Sequence, residues 1–570
     1  MLSRLACASL LLGGAIISAC SDASTAPSVD TTPKVVNQTS NACTNPLTLN
    51  AGQVIAGVTG TSICVSGGAS GAEYALIPYY GATQSQLSTT LDFTALGTVA
   101  PSASASLAPS ATASFDVSGA ASLSNTRYHE SHEFETRLRD RERISLRPFI
   151  SGARAARRSS SAARFDVLPA SPVVGQLLQL NANADSDCTA PAYHTGRVVA
   201  ITKSAIVIAD TLNPAGGYSD DEYASLGVSF DTLVDPLDRQ AFGDPSDIDH
   251  NGKIVLFFTK AVNDMTPASS QSYIGGFFYA RDLFPTKSTT DFSGCAGSNV
   301  GEMFYVMVPD PKRGGAFSKT NVASEVLGTV AHEYQHLINA SRRMYVNTDA
   351  SDFEETWLNE GLSHIAEELL FYKVSGLKPR QDIDATAIRA SSKYIDAFNN
   401  YQSDNIGRYR EYITSPSKYS AISDNDSLET RGATWSFLRD AADKLSSSDG
   451  DIWYRLVNST STGLTNLRSV FGNNVVTTMR DFGTSVLTDD ISSVDAAYQQ
   501  PSWNFRSIFA ALGSSSFPVT SIPLSAGTRS VSLVAGSTAY LRFSVTAGST
   551  ASVQWPVLPQ LVQLTLVRTK

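Results

Sequence analysis

His332 and His336 stand four residues apart, with Glu333 directly after the first, in Val330-Ala331-His332-Glu333-Tyr334-Gln335-His336-Leu337-Ile338. On an α-helix, residues i and i+4 share a face, so both imidazoles can reach one metal ion. Glu333 leans toward the same side, where a carboxylate can take a proton from a metal-held water. With 7 histidines in 570 residues, composition alone gives well under one such match. The plain alternative is a surface helix that happens to carry this spelling.

The elements that must position these residues are legible nearby. Val322, Val326 and Val330 form an apolar stripe, which predicts a helix from about Asn321 to Met344 with its metal face bordering buried surface. A catalytic zinc takes three protein ligands and leaves a fourth position open. The third must come from downstream, where Ser351-Asp352-Phe353-Glu354 reads as a capping box opening a second helix. That helix offers Glu354, Glu355, Glu360, Glu367, Glu368 and His364.

Trp357-Leu358-Asn359-Glu360-Gly361-Leu362-Ser363 after an H-E-Y-Q-H helix resembles the gluzincins, in particular the hyicolysin-like neutral zinc metallopeptidases. The resemblance is strong over these two helices and weak over residues 172–440. It implies His332, His336 and Glu360 as ligands of one zinc ion and Glu333 as general base. Asn359 stands beside Glu360, and His364, one turn beyond it, reads either as a supporting hydrogen-bond partner or substrate contact or as a plain core or surface histidine. It also implies a tyrosine or histidine further on to meet the oxyanion. The matching stretch, Leu428-Glu429-Thr430-Arg431-Gly432-Ala433, holds no tyrosine, which leaves Arg431, Tyr412 or Tyr419 for that role. The expected fold is multidomain: an α+β, zincin-like catalytic domain flanked by small all-β modules.

The remaining chain sets the context. Arg4 and the apolar run Leu5–Ile17 read as a signal segment over residues 1–19, ending in a lipobox-like Ile17-Ser18-Ala19-Cys20. Cys20 is then a lipidation site that anchors the chain to the cell envelope; ordinary cleavage would give a secreted protein instead. Residues 20–42 read as a tether, 43–118 as a small β module, 119–171 as an arginine-rich linker or pro-segment, 172–515 as the peptidase domain and 516–570 as a second β module. Cys43, Cys64, Cys188 and Cys295 favour two disulfides, Cys43–Cys64 and Cys188–Cys295. In the arginine-rich segment a solvated linker or partial helix is expected, with a cleavable connection near Arg157-Arg158 as a further option and His129 and His132 at the surface. Asp247-Ile248-Asp249-His250-Asn251-Gly252 opens like a calcium loop but reaches Phe258 where the closing glutamate belongs, so calcium at Asp247, Asp249 and Asn251 is the lesser reading beside a plain turn. Met303–Val308 is expected as an edge strand for a peptide substrate, with Glu302 near a substrate amine.

A net charge of −10 argues against nucleic acid as a partner. The expected activity is that of an exported zinc endopeptidase acting on peptides or proteins. The alternatives are an aminopeptidase and a surface-binding protein whose peptidase-like domain no longer works.

Overall fold

The computed structural model describes residues 43, 45–101, 129–159, 171–267, 273–290, 292–491, 493–514 and 516–570. The signal segment, the tether and Cys20 lie outside the described residues. Strands β1 (Val54–Ala56), β2 (Ser62–Ser66), β3 (Ala72–Tyr80) and β4 (Ser88–Leu96) come first. Helices α1 (His129–Arg141) and α2 (Phe149–Ser159) follow, joined by a π-turn over Glu142–Leu146. Next are β5 (Leu177–Asn181), β6 (Tyr193–Ile201) and β7 (Ala205–Asp210), then α3 (Asp220–Ser229) and α4 (Asp235–Phe242). After β8 (Ile254–Phe258), α5 (Lys260–Asp264), β9 (Gly276–Phe278) and β10 (Met303–Val306) comes the long α6 (Lys319–Tyr345). Helices α7 (Thr356–Ser375), α8 (Ala385–Arg389), α9 (Ser392–Tyr401), α10 (Ser403–Thr414) and α11 (Leu428–Leu445) follow. Of these, α7 and α9 pack on α6, α8 packs on α9, and α10 and α11 pack on each other and, respectively, on α9 and α7. Four shorter helices lead to β11 (Ile522–Pro523), β12 (Gly527–Val534), β13 (Leu541–Val545), β14 (Thr550–Gln554) and β15 (Val562–Arg568).

The two β segments expected as separate modules are one sandwich. Its sheets run β1-β15-β3-β13-β11 and β12-β4-β14-β2, so each is built of strands from both ends of the chain, alternating throughout the second and in all but the β13-β11 pair of the first. The reason is burial: each segment alone would leave an apolar face in water. Strand β3 shows how the sandwich joins the rest. Tyr74 and Leu76 face the sandwich core, whereas Ala75, Ile77 and Tyr79 face the helical body, so its apolar run is buried on both sides. Both expected disulfides form, with Cα separations of 5.5 Å for Cys43–Cys64 and 4.4 Å for Cys188–Cys295.

The central sheet has the order β5-β6-β7-β8-β10-β9. β10 pairs with β8 on one side and with β9 on the other, so the expected edge strand is internal. The edge belongs to β9, antiparallel to its neighbour and too short to stand out in the sequence. Helix α6 lies against β9 and β10 and starts where Ser318 accepts a hydrogen bond from the Asn321 amide. The expected capping box is not formed. Glu354 instead enters the core to meet Arg343, the Gly463 amide and Asn466, and α7 begins at Thr356. At its far end α7 stops on Gly376, whose φ of 88° suits glycine.

One buried group costs stability. Asp238 in α4 is fully buried and neither of its oxygens has a hydrogen-bond partner. Burial, and then Asp235, push its pKa well above the usual carboxylate range. Unfolded, it titrates near ~4, so between there and its folded pKa the native state holds the extra proton. Stability therefore falls as pH rises through that window. Asp238→Asn should remove this slope, gaining about 1.4 kcal/mol on the parent per pH unit above ~4. Urea unfolding at pH 5, 6 and 7 checks it, and a constant difference across the three would contradict it.

Candidate metal centre

His332 and His336 project from one face of α6, and Glu360 meets them from α7. The two Nε2 atoms are 3.1 Å apart, and each is 3.4 Å from a Glu360 oxygen. All three residues are buried, Glu360 completely. Both Glu360 oxygens lack a partner in hydrogen-bonding geometry. Two imidazole nitrogens facing each other across a fully buried carboxylate form a His-His-Glu donor set around one point, so the residues present fit a zinc ion. In this arrangement a proton supplies part of that ion's charge. Burial works against charge on His332, but Glu360 and Glu367 lift its pKa to about 10. Burial and then Arg139 lower His336 to about 4.

The converging side chains are oriented from behind. Glu367 Oε1 lies 2.8 Å from His332 Nδ1 and 3.2 Å from His364 Nδ1, and Arg408 reaches the same carboxylate at 3.5 Å. Ser363 Oγ is 3.1 Å from His336 Nδ1. His364 therefore acts on the centre through Glu367, and Asn359 braces α7 against α6 by accepting from Asn339 at 3.1 Å. A carboxylate on the outer nitrogen of a ligating histidine fixes its tautomer and raises its basicity. Glu367→Gln is expected to weaken zinc binding about 10- to 100-fold. Competition with a chromophoric chelator measures this; an unchanged affinity would mean that Glu367 does not orient His332.

Glu333 is pinned under the edge strand, where Oε2 accepts from the Phe278 amide at 2.7 Å. Burial is the main cause that pushes its pKa up to about 7. Arg431 comes from α11 and lies 3.1 Å from Glu360, anchored by Asp426 at 2.6 Å. Two glycines permit this approach. A Cβ on Gly361 would meet Thr434 Cγ2 at 2.5 Å, and one on Gly432 would meet the Arg408 carbonyl at 2.2 Å. The glycine of N-E-G is thus a contact residue between α7 and α11. The tyrosine candidates fail. Tyr412 is buried and stacked on Phe482, and Tyr419 turns its phenol to Glu429.

Of the two expectations for the arginine-rich segment the helix is found and the solvated linker is not, because the helix buries its charges. Helix α1 lies over the centre. Arg139 is buried, 3.5 Å from Glu360 and 4.0 Å from Glu333, and donates to the Phe278 carbonyl at 3.1 Å. Glu142 pairs with Arg139 at 2.6 Å and accepts from the Ala280 amide at 2.7 Å. Glu135 bonds Arg431 at 2.5 Å. Phe134 packs edge-on to Phe277, and Arg154 of α2 bonds the Arg343 and Met344 carbonyls at the end of α6. Sequence reasoning missed these residues because α1 carries charge on its buried face. One signal was available: Glu135 and Arg139 are four apart, one turn of helix. The side chains of His129, His132, Arg157 and Arg158 lie outside the described residues.

Asp247 and Asp249 gather with Glu302, and the Asn251 backbone amide donates to both aspartates. Asn251 turns its Nδ2 to Asp249 at 2.6 Å and its Oδ1 to the Lys253 amide. Glu302 accepts from Ser246 Oγ and the Ile248 amide, which holds it in that loop and not beside a substrate amine.

No family model matches the chain. The chain is 30% identical over 212 residues to the neutral metalloprotease ShpI of Staphylococcus hyicus, covering 37% of this chain and 45% of the relative. It thus spans less than half of the relative's length.

Proposed function

We propose that the chain is a zinc-dependent endopeptidase of the gluzincin type, described here with its cleft closed by its own residues 129–159. The observation that carries the reading is the convergence of His332, His336 and Glu360 on one point, with Glu333 held beside it under an edge strand. Similarity to a metalloprotease supports it. Two imidazoles and a carboxylate are a catalytic zinc set that leaves one position open. Zinc, when bound, would supply a Lewis acid for the scissile carbonyl and make water acidic enough to lose a proton.

The chain's own residues do the rest. Glu333 accepts the proton of the attacking water and returns it to the leaving amine. Arg431 offers a cationic donor to the oxyanion, in the role that a tyrosine fills in the family this chain resembles. Strand β9 pairs with an extended peptide through the Phe278 carbonyl and, just past the strand's end, the Ala280 amide.

Those same groups are taken by the covering segment. Arg139 and Glu142 satisfy the strand's acceptor and donor as a peptide backbone would, and Glu135 occupies Arg431 as an oxyanion would. The occupant enters and leaves the cleft as continuous chain, which supports endopeptidase over aminopeptidase action. Opening then requires cuts in 102–128 and 160–170, both rich in serine and alanine. Export and an anchor at Cys20 complete the proposal. Among the described residues, no helix is long and apolar enough to cross a membrane.

Digestion of an unbiased peptide library with free and blocked amino termini tests the function after the segment is cleaved. Internal cutting, indifferent to the block and stopped by a zinc chelator, is expected. Cleavage only next to free termini, or cleavage that survives chelation, would overturn it.

A further inference from the structure

The loop before β8 holds a second cluster of carboxylates, Asp247, Asp249 and Glu302, each with an oxygen within 4.8 Å of the others. Clustered acids alone mean little, but Glu302 adds an independent observation. Its side chain is 1% exposed, and Oε2 is buried with no hydrogen-bond partner, although Oε1 accepts two. A carboxylate oxygen left uncompensated in the interior is unfavourable unless a cation meets it. The nearest lysine in sequence does not serve, because Lys253 Nζ is held by the Thr202 and Lys203 carbonyls. Burial, and then Asp249, raise the Glu302 pKa to about 8, as expected of acids crowded without a counter-charge.

We propose that Asp247, Asp249 and Glu302 form a second metal site, one for a hard divalent cation of the Ca²⁺ class. All the donors are oxygens, with no imidazole or thiolate among them, which favours Ca²⁺ over zinc. The loop geometry suits a large ion with flexible coordination: His250 and Gly252 both take positive φ, of 59° and 68°, folding the loop back on itself. The site replaces the lost closing position of a calcium loop with Glu302, 53 residues past Asp249 in sequence and brought in by β10. Its position gives it a task. The same loop meets α6 one turn beyond His336, through Ser246 N to Ser341 Oγ at 3.2 Å and Arg342 to the Asp244 carbonyl at 2.7 Å. A bound ion would clamp this loop to the base of β10 and brace the end of the zinc-bearing helix. The site stands apart from the catalytic reading and does not depend on it.

Calcium chloride is titrated calorimetrically into zinc-loaded full-length protein carrying Glu333→Gln, which prevents self-digestion, and thermal unfolding is followed in parallel. Saturable uptake of one Ca²⁺ per chain is expected, with a dissociation constant below about 1 mM. The unfolding midpoint should rise by roughly 2–6 °C at saturation. Glu302→Gln and Asp249→Asn should each weaken uptake at least about tenfold. Asp247→Asn, at an exposed position that folding tolerates, should weaken it too. No saturable uptake up to about 5 mM would overturn the proposal. So would uptake undiminished in all three variants, or uptake lost in His336→Ala alone, which would assign the ion to the first centre.

Discussion

Glu333→Gln is expected to lower peptide hydrolysis at least about a thousandfold while leaving the zinc content unchanged. The amide keeps the shape of the carboxylate and an acceptor for the Phe278 amide, so α6 stays tied to the edge strand. What it loses is the ability to take a proton from water at neutral pH. General-base catalysis of this kind contributes on the order of 10² to 10⁴ in rate, and here the same group also serves the leaving amine. Glu333 is not itself one of the three converging ligands, so metal analysis and rate must separate. A variant that keeps more than a tenth of the parent rate would overturn the assignment of the base.

Cutting the chain on both sides of the covering segment is expected to raise hydrolysis at least about a hundredfold. Recognition sites for a specific protease, introduced within 102–128 and 160–170, allow each cut to be made alone or with the other. Phe134, Leu138, Leu146 and Ile150 are buried in the main core. At about 1.5–3 kcal/mol each, these four side chains contribute at most roughly 6–12 kcal/mol before ordering costs. The polar contacts of Glu135, Arg139, Glu142 and Arg154 add little net of desolvation. A segment severed at both ends would then bind no better than about micromolar, and dilution or digestion removes it. A single cut within 160–170 leaves it tethered through β1–β4, at an effective concentration near the millimolar range, and gains far less. The sandwich survives both cuts, because β1–β4 pair with β11–β15 independently of that connection. If the uncut protein already matches the doubly cut one, α1 is a structural part of the enzyme and not a plug.

The metal-binding face was legible in the sequence because its information is local. The i, i+4 spacing of His332 and His336 needs only a helix, and Val322, Val326 and Val330 announce one. The Cys43–Cys64 and Cys188–Cys295 pairings were legible through proximity and parity. What the sequence hid was long-range. Nothing in residues 43–96 says that their strands alternate with those of residues 522–568, because apolar alternation specifies a buried face but not its partner. Strand β9 is three residues long, and its role as the edge follows from where β10 falls in the sheet. Glu367 was one acid among several on α7, and only the crossing with α6 sets it on His332. The covering helix was misread for a physical reason. Its buried face carries Glu135, Arg139 and Glu142, whose partners are the charges and backbone groups of the centre itself. Polarity there marks a match to a charged cleft, where sequence reasoning reads exposure to water.

His332, His336 and Glu360 are expected to hold one zinc ion together. Metal analysis of full-length Glu333→Gln protein, purified without added metal, tests it most directly when repeated with His336→Ala and Glu360→Ala added singly. About one zinc per chain is expected in the first protein and a small fraction of that in each of the others, with all three folded by circular dichroism. A parent that carries no zinc after exposure to the metal, or a Glu360→Ala variant that carries as much as the parent, would contradict it.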